Sequence, residues 1–246
     1  MTLSFLSWNI WFNEEERSHR THNIIQTVTD NEIDFIAFQE VVQESLNVIK
    51  KQKKNYTLIG TPFFQTYDTI ILSKYPCLSW SRFPLPESSM GRNLLLAEFQ
   101  LPVGKTINVG TFHLESVFGS FPAEKLKKTQ LEYIDSLCPP DTVFMGDTNI
   151  LSNQSPTTLQ SPDIFERIGG PEAYRYTYSG RTNRNIKNRS YNSRFDRIYL
   201  KTTTPFKVDS FFLLGTENDV FNTTRNQYLP PSDHYGVITS LNLQTK

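Results

Sequence analysis

The stretch Thr142-Val143-Phe144-Met145-Gly146-Asp147-Thr148-Asn149 constrains this chain more than any other. Its apolar run has the length of a strand and stops at Gly146, where a carboxylate and, two positions on, an amide follow. A segment of this kind belongs in the interior of a sheet, with Asp147 where the strand reaches solvent. If the extended geometry continues for two more residues, Asp147 and Asn149 point to the same side of the sheet, one as a base and the other as an orienting amide. The competing reading is an Asx-rich turn after a core strand.

The same arrangement recurs along the chain. Residues 3–10 alternate as a half-buried strand ending at Trp8-Asn9, and residues 33–38 form a buried strand with Gln39-Glu40 just beyond its end. Between them, residues 14–30 read as a helix with acids in its first turn and Ile24, Ile25 and Val28 on one face. Residues 46–54 read as a second helix, with four lysines in its last turn that suit a solvated end or a nucleic-acid contact. Strands at 56–59, 68–73, 93–101 and 106–114 then suggest a meander. The last of these delivers His113, with Glu115-Ser116 following. The loop 83–92 carries Arg92, which either meets a phosphate or caps the surface.

Residues 122–137 read as a helix with Leu126, Leu131 and Ile134 inward and Lys125, Lys127 and Lys128 outward. After the central strand come a turn-rich segment, 156–171, with a short helical piece at 163–168, and an alternating strand at 174–178. The loop 179–194, with Arg181, Arg184, Lys187 and Arg189, is either a polyanion-facing loop or a flexible surface segment. The strand 194–200 holds Asp196 in its register, where a buried carboxylate requires a partner. A strand at 208–214 and a closing strand at 237–243 flank Ser232-Asp233-His234.

Composition narrows what such a chain does. Twenty-five basic and 25 acidic side chains give no net field toward a polyanion or an acidic membrane, so any anionic partner is met by a local patch. Two cysteines, Cys77 and Cys138, are too few for a disulfide framework and lack metal-ligand spacing, which points to thiols in a reducing, intracellular compartment. The amino terminus lacks the pattern of a secretory signal, and no segment is long and apolar enough to span a bilayer. With no repeat or low-complexity linker, residues 1–246 are expected to form one domain. Asn9, Glu40, His113, Asp147, Asn149, Asp196, Asp233 and His234 all fall at or near strand ends, as in an active site assembled along a sheet edge. Hard carboxylate oxygens without clustered thiols favour Mg²⁺ or Mn²⁺ over structural zinc. Such an ion polarises a phosphoryl oxygen while Asp or Asn positions water.

Trp8-Asn9, Gln39-Glu40, Gly146-Asp147-Thr148-Asn149, Phe195-Asp196-Arg197 and Ser232-Asp233-His234, in that order, resemble the endonuclease/exonuclease/phosphatase family of metal-dependent phosphodiesterases. Met90-Gly91-Arg92-Asn93-Leu94-Leu95, His113-Leu114-Glu115-Ser116 and Tyr176-Thr177-Tyr178 are similar to blocks of one branch of it, the enzymes that release tyrosine from 5′ DNA ends. The resemblance implies an α/β fold, a four-layer sandwich of two mixed sheets packed face to face and flanked by helices. It implies hydrolysis of a 5′-phosphotyrosyl bond in repair of DNA damage, leaving a 5′-phosphate, by a monomer in nucleus or cytoplasm. Glu40 and Asp147 would bind Mg²⁺, Asp147 and Asn149 would activate and orient water, and His234, oriented by Asp196, would stabilise the transition state. Asn9 and His113 would contact phosphate or the metal's water shell, and Asp233 would support the site from behind. Substrate contacts would come from Ser116, Arg92, Tyr178 and Arg181.

Three positions depart from the family pattern: Trp11 stands where an acid is usual, Leu151 where the branch has a basic residue, and Tyr178 where an indole is expected. They leave open another Mg²⁺-dependent phosphoesterase, such as an abasic endonuclease, a nuclease or a small-phosphoester hydrolase. A nucleic-acid-binding protein with a decayed site is a third reading. Against decay, Asp147/Asn149 and Asp196/His234 are retained, and uncompensated carboxylates near a core cost folding energy.

Overall fold

Strands that alternate between two different apolar environments, rather than between core and water, set the architecture. In Phe35-Ile36-Ala37-Phe38, Phe35 and Ala37 join one buried cluster while Ile36 and Phe38 join another. Val143 and Met145 likewise share the first cluster, whereas Phe144 belongs to a third. A strand covered on both faces reads as a continuous apolar run, so these segments lie in sheets packed on both sides.

The computed structural model of the chain describes residues 1–61, 63, 66–102, 104–116, 121–151, 159–217 and 219–243. Part of the expected turn-rich segment at 156–171 lies outside them. In chain order the elements are β1 (Thr2–Asn9), α1 (Arg17–Asp30), β2 (Phe35–Val42), α2 (Gln43–Gln52), β3 (Thr57–Ile59), β4 (Tyr67–Ser73), β5 (Cys77–Pro84), β6 (Asn93–Gln100) and β7 (Thr106–His113). There follow α3 (Phe121–Leu137), β8 (Thr142–Asp147), α4 (Ile164–Arg167), β9 (Tyr178–Ser179), β10 (Asn192–Ser193), β11 (Asp196–Lys201), β12 (Phe206–Leu214), β13 (Val220–Asn222), β14 (Gln227–Leu229) and β15 (Gly236–Leu243).

A six-stranded sheet runs β12-β15-β1-β2-β4-β3 and a five-stranded sheet β11-β8-β7-β6-β5. The first cluster, with Phe5, Phe35, Ile71, Leu95, Phe99 and Val143, fills the space between them. The second joins the outer face of the six-stranded sheet to α1 and α2 through Ile24, Val28 and Ile49. The third joins the outer face of the five-stranded sheet to α3 through Leu131 and Ile134. This is the expected four-layer sandwich of mixed sheets.

Among the described residues only β1–β2 and β7–β8 pair in parallel, each across a helix, and their carboxyl ends lie together. Register then aligns the site: His113 lies opposite Asp147 across the parallel pair, and Asp196 opposite Asp147 across the antiparallel β11–β8 pair.

Five expectations need correction. Glu40 sits inside β2, on a bulge where the pairing with β4 slips between Phe38 and Val41. Helix α1 begins only at Arg17 and has no acid in its first turn. The expected meander is divided: β3 and β4 belong to the six-stranded sheet and β5 to β7 to the other, β5 being an edge strand whose exposed Leu78 and Trp80 gave no burial pattern to read. Lys127 faces inward instead of outward and is buried. Residues 174–178 are not a strand; a 3-10 turn spans Glu172–Tyr174, and pairing begins only at Tyr178.

Candidate active site

Asp147 is the centre of the cluster. Its Oδ1 accepts the Asn149 backbone N–H at 2.8 Å. Its Oδ2 accepts Asn9 Nδ2 at 3.0 Å and lies 3.4 Å from His113 Nε2 and 3.8 Å from His234 Nε2. One carboxylate thus gathers side chains from both sheets. Burial alone would raise its pKa, but the two histidines, Asn9 and the Asn149 N–H outweigh it and hold the group below the usual carboxylate range.

Asn149 does not extend the strand. Its φ of 50° is left-handed, and its side-chain amide donates to Leu114 O at 3.2 Å, while Lys127 Nζ donates to its carbonyl at 2.8 Å. Of the two opening alternatives the Asx turn is the one that forms: it follows the core strand and places Asn149 beside Asp147. Lys127 falls four residues before Leu131, on the inward face of α3.

Asn9 Nδ2 also donates to Glu40 Oε1 at 3.1 Å, so carboxylates from two sheets converge on one amide nitrogen. Glu40 Oε2 accepts the Phe12 N–H at 3.0 Å. Burial and the nearby Asp233 carboxyl nevertheless push Glu40 up to about 7. Trp11 and Glu40 have φ values of 61° and 59°, left-handed conformations unfavourable for side chains of this size, whereas Asn149, at 50°, is of a type that tolerates them. Their concentration around one carboxylate is what strain held at a functional site looks like.

The two imidazoles have opposite electrostatic characters. Arg92 Nη1 lies 3.0 Å from His113 Nδ1, and because a guanidinium only donates, Nδ1 accepts and Nε2 carries the proton. Burial and the Arg92 cation push His113 down to about 3, so it is a neutral N–H donor aimed at Asp147. His234 Nδ1 bonds Asp196 Oδ2 at 2.8 Å. Although burial opposes it, Asp196 and Asp147 raise His234 well above the ordinary histidine value, which makes it an imidazolium at neutral pH. Trp8 Nε1 donates to His234 O at 3.0 Å and Ser232 Oγ to Asn9 O at 2.7 Å, tying the His234 loop to β1.

The residues fit a hard divalent cation. Asp196 Oδ1 is buried without a hydrogen-bond partner among the described residues, and the half-buried Glu40 feels the nearby Asp233 carboxyl. One ligand atom each from Asp147, Asp196 and His234 falls within 4.8 Å of the others. Held as a cation by Asp196, however, His234 has no free lone pair to give. The oxygens of Glu40, Asp147 and Asp196 are the better donors, a set suited to Mg²⁺ or Mn²⁺.

A cleft of about 740 Å³ opens from this cluster, lined by Trp11, Asn149, Leu151, Tyr178, Lys187, Asp233 and His234 among others. The Tyr178 ring packs edge-on against His234 with centroids 5.0 Å apart. Arg92 reaches the cluster through His113, and the half-buried Ser116 contacts Met90 Sδ at 3.3 Å. Arg181 is not brought there. It lines a separate pocket with Glu172, Tyr176 and Tyr235, and Lys187 is the basic residue of its loop that lines the main cleft. Arg189 is committed to the backbone carbonyls of Asn183 and Arg181.

Residues 6–234 match the Endonuclease/Exonuclease/phosphatase family, and the chain belongs to it. Among curated relatives, the tyrosyl-DNA phosphodiesterase 2 of Xenopus laevis is 30% identical over 98% of this chain and that of Xenopus tropicalis 28% over 96%. The chain spans 66% and 65% of their respective lengths. The fold superposes on the crystal structure of D. rerio TDP2 complexed with single strand DNA product with a TM-score of 0.85 at 24% identity, covering 98% of this chain and 99% of that one. TDP2 from C. elegans gives 0.85 at 23%, covering 98% of this chain and 75% of that one.

Proposed function

We propose that the chain is a single catalytic domain, residues 1–246, that hydrolyses 5′-phosphotyrosyl bonds between DNA ends and protein tyrosine or peptide with the help of Mg²⁺, leaving a 5′-phosphate. The observation that carries the reading is the convergence of Asn9, Glu40, His113, Asp147, Asp196 and His234 in one cluster around Asp147, which borders a cleft through His234. It is supported by the 28–30% identity to tyrosyl-DNA phosphodiesterase 2 relatives over nearly the whole chain. Such an enzyme acts on DNA ends as a monomer in nucleus or cytoplasm. Among the described residues no helix is long and apolar enough to cross a membrane.

Glu40, with Asp147 and Asp196 beside it, would hold the ion, which when bound would neutralise phosphoryl charge. Asp147 stays ionised and accepts the proton of an attacking water, while Asn9 and the Asn149 turn keep its two oxygens in fixed directions. His234 presents Nε2–H as a charged donor to the phosphoryl oxygens, with Asp196 fixing its ring and charge. His113 adds a neutral donor that Arg92 keeps in one tautomer. Asp233 lines the cleft next to His234 and adds to the negative field. The leaving phenol has a pKa of about 10 and departs far more readily than an alkoxide, so no strong general acid is needed.

The test is a panel comprising a 5′-phosphotyrosyl oligonucleotide, its 3′ counterpart, an abasic duplex and inositol phosphates, each with Mg²⁺ or EDTA. Release of tyrosine from the 5′ substrate, abolished by EDTA and reduced about 100-fold or more by Asp147→Asn, is the expected result. Preference for another member of the panel would replace the substrate assignment. Salt-sensitive retention of DNA without cleavage would leave a binding protein.

A further inference from the structure

The acid-to-tryptophan change at Trp11 does not stand alone. Trp11, Leu151 and Tyr178, the three positions at which this chain departs from the family pattern, all line the one 740 Å³ cleft. There Trp11 and Leu151 supply an indole and an isobutyl group, in a lining that also holds Tyr191 and Phe195. The part of the lining these residues form is aromatic and apolar.

Trp11 is also held in place at some cost. Its left-handed φ of 61° is fixed by its own N–H on Asn9 Oδ1 at 3.0 Å and by Arg20 Nη2 on its carbonyl at 3.1 Å. The Arg20 guanidinium lies over the indole, 4.7 Å from the ring centroid. Arg20 itself is buried and donates to Ile10 O at 3.0 Å, Pro231 O at 3.1 Å, Asn13 O at 2.6 Å and Glu15 O at 2.8 Å. Its bonds to Ile10 and Pro231 lock the segment after Asn9 to the segment before His234. With Arg20 stacked on it, the indole stays partly exposed and lines the cleft.

We infer that Trp11 is a stacking platform for the nucleobase of the nucleotide whose phosphate reacts, and that it makes the enzyme select a nucleotide over a bare phosphodiester. The inference deepens the proposed function and rests on it: with the phosphate at His234, the attached nucleoside enters the cleft that Trp11 lines. A rigid ring backed by a buried guanidinium loses little freedom when a base stacks on it, and stacking tolerates any base because every base has a π face.

Two single-stranded 5′-phosphotyrosyl oligonucleotides separate the possibilities, one ending in thymidine and one in a tetrahydrofuran abasic residue. Wild type should favour the thymidine end in kcat/KM by about tenfold or more. Trp11→Phe should keep most of that preference, and Trp11→Ala should erase it through KM with little change in kcat. A second measurement needs no turnover. Protein emission should be quenched by the 5′-phosphorylated thymidine-ended product and not by the abasic-ended one, and Trp11→Phe, which leaves Trp8 and Trp80, should abolish the quench. An unchanged preference in Trp11→Ala, a parallel loss on both substrates, or equal quenching by both products overturns the inference. If wild type cleaves neither oligonucleotide with Mg²⁺, the proposed function fails, and the emission titration still decides whether Trp11 stacks on a base.

Discussion

At the scale of single residues, the site separates two histidines by what each one faces. His113 is answered by a cation and stays neutral; His234 is answered by anions and stays charged. Asp196, which the sequence required to have a partner, has found His234. The pair makes a signed prediction. Because Asp196 raises the His234 pKa, Asp196→Asn lowers it, so the imidazolium is lost at lower pH than in wild type. In metal-free protein the imidazole NMR titration of His234 should move to lower pH. The alkaline limb of the kcat profile should move the same way, so the defect is deeper at pH 8 than at pH 6. Folding follows the same sign: a raised histidine pKa contributes stability below pH 6.5 that is lost as pH rises through the folded-state value. An unshifted titration and a pH-independent defect would mean that Asp196 only packs.

At the scale of elements, what was legible in the sequence and what was not follows from burial. Strands buried on both faces, β2 and β8, were readable because their residues are largely apolar until the strand leaves the core, and β1 was readable from its alternation. The edge strand β5 was not, since water on its outer face imposes no pattern. Arg20 and Lys127 support the site although a charged side chain on a helix ordinarily signals solvent. Yet Arg20 precedes Ile24 and Val28, and Lys127 precedes Leu131, at the four-residue spacing of the inward faces of α1 and α3. The bulge at Glu40 leaves no mark in the sequence, because a left-handed glutamate looks like any other. Gly146 does leave one. A Cβ there would lie 2.0 Å from the Phe112 carbonyl oxygen, the residue paired with it across β7–β8. Gly146→Ala must force those strands apart, moving His113 and Asp147, which are neighbours in the same register. The expected cost is about 3 kcal/mol or more, read from the urea midpoint at unchanged m-value, with a loss of activity in the protein that remains folded. A wild-type midpoint would show that the β7–β8 spacing is not what Gly146 protects.

At the scale of the whole molecule, two sheets bring Glu40, Asp147, Asp196 and Asp233 into one enclosure, and folding has to bear their mutual repulsion. Glu40 shows the sign. Its pKa is raised from the ordinary glutamate value of 4.5 to about 7 in the folded chain, so between those values the native state binds a proton that the unfolded state has released. Metal-free protein therefore loses stability as pH rises through that window, by on the order of 3 kcal/mol for this group alone. A divalent cation takes the place of the proton, so Mg²⁺ should raise Tm more at pH 7.5 than at pH 5. Glu40→Gln separates this account from a general effect of salt on a near-neutral protein. The amide removes the buried charge, so the variant should melt several degrees above wild type at pH 7.5 without metal and gain little from Mg²⁺, while its activity falls. Wild type and Glu40→Gln with the same metal-free Tm across pH 5 to 7.5, or with equal gains from Mg²⁺, would place the ion elsewhere. If the prediction holds, the same enclosure that costs the empty fold stability is what gives the ion its affinity.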